Sequence, residues 1–145
     1  NKMGQKEHFI GTWMLVEFYI MKVKGEPVYP FGIKPNGMLI YNKDGNMSAT
    51  ITGENQPSNV SIDFRNTSAE EQALAFQHIS YCGLFKVKRN IITHYVHITL
   101  FPQWKDTQLE RYYRFKEKNK LILTTKPIKM AAMDGIGVLI WEKQT

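Results

Sequence analysis

The sequence holds a single cysteine, Cys82, among 145 residues. One cysteine excludes an intrachain disulfide and any cysteine-based zinc site, and it fits a reducing compartment. No stretch approaches the roughly 20 consecutive apolar residues that a membrane-spanning helix needs. No leader peptide is visible, so the expected location is the cytoplasm, although a chain that opens at Asn1 is compatible with a leader already removed. There is no phosphate-binding glycine loop, no Ser-His-Asp arrangement and no internal repeat. Carboxylates are also scarce: 13 Asp and Glu against 19 Lys and Arg leave a net charge of +6. A basic surplus can be the footprint of nucleic acid. Here the cations fall in separate clusters, Lys86, Lys88 and Arg89 in one and Lys116, Lys118 and Lys120 in another. Both clusters lie at expected hairpin tips, interspersed with Glu and Asp, so they read as solvated turns and no nucleic-acid partner is expected.

What is present is a series of short β-prone runs. Residues 10–22 are rich in β-branched and aromatic side chains, and Gly25, Pro27, Pro30 and Gly32 interrupt the pattern after them. GMLIYN is followed by Asp44-Gly45, a hairpin signal, and then by MSATIT. Residues 53–67 read as a loop. The stretch SAEEQALAFQHI, 68–79, carries the capping-box pattern Ser68-x-x-Glu71 and good helix formers, with Ala73, Phe76 and Ile79 near one face. Five more β runs follow at regular spacing: YCGLFKVK, IITHYVHITL, QLERYYRFK, KLILTTK and GIGVLIWEK. About eight strands and one helix in 145 residues predict one all-β domain, 1–145, built as a barrel or sandwich.

Strand alternation then sorts the chemistry-bearing side chains. His94 and His97 are an odd number apart, so in an unbulged strand they face opposite ways, and a two-histidine metal site is disfavoured; no metal and no cofactor are expected. The apolar set Ile92, His94, Val96 and Ile98 predicts His94 inside and His97 outside. Tyr81, Gly83, Phe85 and Val87 face inward by the same logic, since Lys86 and Lys88 mark the other face. On QLERYYRF the inward set is Leu109, Arg111, Tyr113 and Phe115. The first strand is ambiguous, because Trp13, Leu15, Glu17 and Tyr19 compete with Met14, Val16, Phe18 and Ile20. An inward histidine is either a hydrogen-bonded core residue or a functional group. An inward arginine must be paired or face something wet, so Arg111 is either locked to a carboxylate such as Glu17 or reaches a ligand. Tyr41, Tyr81 and Tyr113 either fill volume or line a cavity. A histidine, an arginine and several tyrosines on one interior surface favour a cavity, since packed cores rarely hold so many polar tips without one.

Gly11-Thr12-Trp13 opens the first strand as a GxW motif. With YPFG at 29–32, GMLIY at 37–41, YCGLF at 81–85, THYVHITLFPQW at 93–104 and LIWEK at 139–143, it resembles the bacterial lipocalin-like domain family across nearly the whole chain. The resemblance implies a small calycin-type antiparallel barrel of eight strands, with the helix at 68–79 covering one end. It also implies a cation near the end of the last strand packed over the GxW tryptophan, and Lys143 stands there where arginine is common. Two further departures are His97, at a position expected to be acidic, and Gln103, where asparagine is expected. Such a barrel implies binding or sequestration of a small hydrophobic or amphipathic molecule with a polar or anionic group. The expected ligand-binding residues are His94, Arg111, Tyr41, Tyr81, Phe85, Tyr113, Trp13 and Glu17, with Arg111 and His94 orienting the polar end. A cyclase- or isomerase-type enzyme using His94 as acid or base, and a partner-binding barrel, are the alternatives; a homo-oligomer is compatible with all three.

Overall fold

The structure is a computed structural model that describes residues 2–129 and 134–145. Eight strands, β1 (Gly11–Met21), β2 (Asn36–Tyr41), β3 (Asn46–Thr52), β4 (His78–Lys88), β5 (Ile91–Thr99), β6 (Gln108–Lys116), β7 (Lys120–Thr125) and β8 (Ile136–Lys143), pair in sequence order into a closed antiparallel barrel. β8 returns to β1, with Trp13 opposite Lys143 and Met21 opposite Ile136. Closure leaves no open sheet edge. It also divides every strand into a lumen face and a solvent face, and Trp13, Leu39, Tyr41, Phe85, Ile92, Val96, Leu121 and Trp141 are buried on the former. No helix among the described residues is long and apolar enough to cross a membrane.

Two bulges reset the alternation. On β1, Leu15 pairs with Trp141 but Glu17 pairs with Ile140, so Val16 is a surplus residue. Trp13 and Leu15 are buried before it, Ile20 after it, and Val16 is exposed. This resolves the ambiguity of the first strand: each competing set is the inner one over half its length. On β5, Val96 pairs with Gly83 and Ile98 with Cys82, so His97 is surplus. His94 and Val96 point inward as expected, and His97 points out. Ile98, expected inside, is 70% exposed, because the bulge turns the strand over one residue earlier. Gly83 makes this bulge feasible: a Cβ there would lie 1.8 Å from the Tyr95 carbonyl oxygen.

Two helices flank the barrel. The capping box at Ser68 forms, with Glu71 N–H donating to Ser68 Oγ at 3.2 Å and Ser68 N–H donating to Glu71 Oε1 at 2.8 Å. The helix α2 runs only over Ala69–Ala75, shorter than the span 68–79, and buries no side chain. His78 and Ile79 leave it to pair with Thr52 and Ile51 in the barrel. It lies in the β3–β4 connection, at one end of the barrel. At the opposite end sits an unforeseen helix, α1 (Lys2–Phe9). Its sequence KMGQKEHF shows little apolar periodicity, and a helix this short holds through tertiary contacts. Those contacts are specific: Phe9 is fully buried, its carbonyl accepts the Trp13 indole N–H at 2.8 Å, and its ring meets Tyr41, Tyr113 and Phe115. α1 therefore closes its end of the barrel. Both basic clusters lie at hairpins there, Lys86, Lys88, Lys116 and Lys120 on the strand ends and Arg89 and Lys118 in the β4–β5 and β6–β7 turns.

Gly83→Ala should lower stability by about 3 kcal/mol in denaturant unfolding, since backbone must move to admit the methyl. Ser68→Ala should loosen α2 by about 1 kcal/mol, seen as faster hydrogen exchange confined to its amides, because α2 contributes nothing to the core.

Candidate binding site

The centre of the lumen is a chain of three polar side chains. His94 is 2% exposed. Its Nε2 lies 2.6 Å from the Tyr41 hydroxyl and its Nδ1 2.7 Å from the Tyr81 hydroxyl. The register explains the meeting: His94 stands opposite Phe85 on β4, Tyr81 lies on the same strand and the same face as Phe85, and Tyr41 crosses the lumen from β2. Burial first, and then the charge of Arg111, hold the His94 imidazole down to about 3, so it is neutral. Burial also pushes the Tyr41 hydroxyl well up and the Tyr81 hydroxyl up, with Arg111 opposing both. The three groups are therefore uncharged at neutral pH.

Arg111 shares this interior. It lies on the inner row of β6 between Leu109 and Tyr113, opposite Ile92 on β5 and Thr125 on β7. One of its N–H groups donates to the Glu110 carbonyl at 3.1 Å. Among the described residues no carboxylate lies within ion-pair distance of it. Leu109 and Arg111 are only half-buried, although they sit on the inner face of a closed wall. Phe18, Phe31, Trp104 and Leu139, half-buried against the core, surround the end opposite α1, and a concavity of about 280 Å³ between Phe31 and Gln77 opens beside it.

The remaining expected residues separate. Phe85 packs on Tyr41 with ring centroids 4.7 Å apart and joins the central group. Trp13 and Tyr113 lie at the α1 end: Lys143 Nζ stands 5.5 Å from the Trp13 ring, the cation–π contact that the resemblance implied. The Tyr113 hydroxyl donates to the Arg89 carbonyl at 2.5 Å. Glu17 is not brought to Arg111. The Val16 bulge turns it to the face opposite Phe18 and Ile20, where its carboxylate accepts from the Tyr29 hydroxyl at 3.4 Å. Sequence reasoning missed two participants, Trp141 and Trp104. Trp141 is buried in the core with an indole N–H that has no acceptor among the described residues. Trp104 meets Tyr81 edge-on at 5.9 Å from the short turn Pro102–Trp104. A larger concavity, about 360 Å³, lies outside the wall beside Ile40, Ser48, Cys82 and Ile98. Among the described residues, no group of three His, Cys, Asp or Glu is placed to hold a metal.

The architecture is a closed eight-stranded barrel with its GxW tryptophan under a cation from the last strand, and residues 10–144 match the lipocalin-like domain family. The chain belongs to that family. Among curated proteins this lipocalin-like barrel is similar to the 4'-hydroxy-3'-methoxypropiophenone carrier protein ppsC of Aspergillus oryzae, 27% identical over 107 residues, which cover 67% of this chain and 96% of that protein. Among solved structures it is similar to an uncharacterised protein from Bacteroides eggerthii, with a TM-score of 0.48, 12% identity and coverage of 94% of this chain and 99% of that one. It is also similar to a de novo designed fluorescence-activating β-barrel, with a TM-score of 0.44, 11% identity and 96% coverage of both chains.

The depressed His94 value fixes a pH response. The unfolded chain takes a proton at this imidazole near 6.5, whereas the folded chain resists until about 3. The stability it contributes is complete above 6.5 and falls as pH drops towards 3, by about 1.4 kcal/mol per pH unit within that window. Unfolding measured between about pH 7 and pH 5 should show this slope in the natural chain, and His94→Gln should remove it.

Proposed function

We propose that this barrel is a carrier for a small, mostly apolar molecule bearing a polar or anionic oxygen. The observation that carries the reading is Arg111, a guanidinium on the lumen face that is half-buried and has no carboxylate partner among the described residues. A cation in a wall that is otherwise apolar is costly unless water or a ligand meets it. Arg111 stands beside the buried Tyr41–His94–Tyr81 chain, and together they make one polar spot in an aliphatic and aromatic lumen, the usual design of a small-molecule site. Phe85 and Val96 supply apolar wall. The Aspergillus oryzae relative is a carrier protein for an aryl ketone, which supports the carrier role and the size of the cargo. His94 has both ring nitrogens engaged and stays neutral, which favours binding over acid–base chemistry.

Calorimetric titration with 3-phenylpropionate, an aromatic carboxylate, should saturate at one molecule per chain. Arg111→Met should weaken it by about 2 kcal/mol, as a charge-assisted contact in a partly dry site is lost. His97→Gln, on the outside of the wall, should leave the affinity unchanged. Unaltered affinity in a folded Arg111→Met variant would place the site elsewhere, and absence of saturation would remove the carrier reading.

A further inference from the structure

The hydrogen-bond chain in the lumen has one proton too many. Tyr41 and Tyr81 bring two hydroxyl protons, and a neutral His94 brings one N–H and one bare nitrogen. Only two contacts exist, Tyr41 to Nε2 at 2.6 Å and Tyr81 to Nδ1 at 2.7 Å. One tyrosine donates to the bare nitrogen, and the other accepts from the N–H. The accepting tyrosine keeps a hydroxyl proton of its own, and neither hydroxyl has another partner among the described residues. A buried O–H without an acceptor is costly, on the order of 1–3 kcal/mol.

The surroundings decide which end carries the surplus. Tyr41 is 1% exposed and enclosed by Phe9 at 5.6 Å and Phe85 at 4.7 Å beneath α1. No molecule reaches its hydroxyl from that side without displacing the helix. Tyr81 stands nearer the other end, beside Trp104 of the β5–β6 connection. Two further groups in this interior are donors: Arg111 offers N–H groups only, and the Trp141 indole N–H, buried in the same core, has no acceptor among the described residues.

We infer that Tyr41 donates to His94 Nε2, that His94 Nδ1–H donates to Tyr81, and that the free Tyr81 hydroxyl donates to an acceptor oxygen on the cargo. This rests on the carrier reading and narrows it. The cargo is an apolar molecule with a carbonyl or carboxylate oxygen; bare hydrocarbons are poor cargo because they leave the Tyr81 O–H unanswered, and cationic amines are poor cargo because Arg111 repels them. Arg111 admits the anionic form and Tyr81 serves both.

The test has two parts. Nitrogen-15 NMR of the ligand-free protein reads the tautomer of His94, and protonation at Nδ1 is the expected result; protonation at Nε2 makes Tyr41 the surplus donor and overturns the inference. Calorimetry then compares three probes of equal bulk: propiophenone, 3-phenylpropionate and propylbenzene. The first two should bind about tenfold or more tightly than the third, and Tyr81→Phe should abolish that preference while leaving propylbenzene binding intact, which also reports that the variant is folded. A preference shown by 3-phenylpropionate alone, and unaffected by Tyr81→Phe, would assign acceptor recognition to Arg111 and overturn the role of Tyr81. Equal binding of all three overturns the acceptor rule while the carrier reading stands; binding of none overturns both.

Discussion

The pairing of β1 with β8 is the constraint on which the rest depends. Once the sheet closes, every strand is paired with a neighbour on both sides, and the inner side chains have nowhere to go but a narrow lumen. Closure draws the Trp13 indole, the terminal Lys143 and the Phe9 carbonyl to the same end, so the seam of the barrel and the docking of α1 are fixed by overlapping contacts. Gly11, beside Lys143, leaves room for that seam: a Cβ there would lie 2.9 Å from the Lys143 side chain.

The same closure makes the polar interior consequential. A histidine exposed on a sheet surface can exchange partners with water; one that is 2% exposed in a barrel cannot. His94 is therefore tied to two tyrosines on different strands, and the triad links β2, β4 and β5 across the lumen. Its members are uncharged, so the wall tolerates them, and Arg111, which bears on all three, is only half-buried. The α1 end of the lumen is aromatic, with Phe9, Tyr113 and Phe115 in mutual contact, and Arg111 brings the charge nearest the triad.

Much of this architecture is legible in the residues themselves. Strand alternation in YCGLFKVK and QLERYYRF places Tyr81, Phe85 and Arg111 on the inner face because charged residues mark the outer one. The position of His94 follows from Ile92 and Val96 on either side. Alternation fails where a surplus residue enters, at Val16 and His97, since nothing in VEF or VHI announces a bulge; Gly83, opposite Val96, was the available signal. The fate of Glu17 went with the first bulge, and that of Ile98 with the second. The helix α1 was illegible because its stability lies in Phe9 and its partners, which only the closed barrel assembles. The ring–hydroxyl contacts of the triad depend on distances across the lumen, which one-dimensional alternation does not contain.

The two bulges also bear on how such a wall tolerates change in length. Val16 and His97 are each one residue beyond what the ladder needs, so removing either would leave a regular strand whose later residues keep their facing, whereas removing a paired residue elsewhere would exchange lumen and solvent faces beyond it. Without Val16, Glu17 would follow Leu15 directly on the outer face, and Phe18 would still turn towards the lumen. An insertion or deletion is commonly borne in loops; in this barrel the two sites with a spare residue lie inside strands, and they are places in the wall where a single-residue deletion would be forgiven during the divergence of the family.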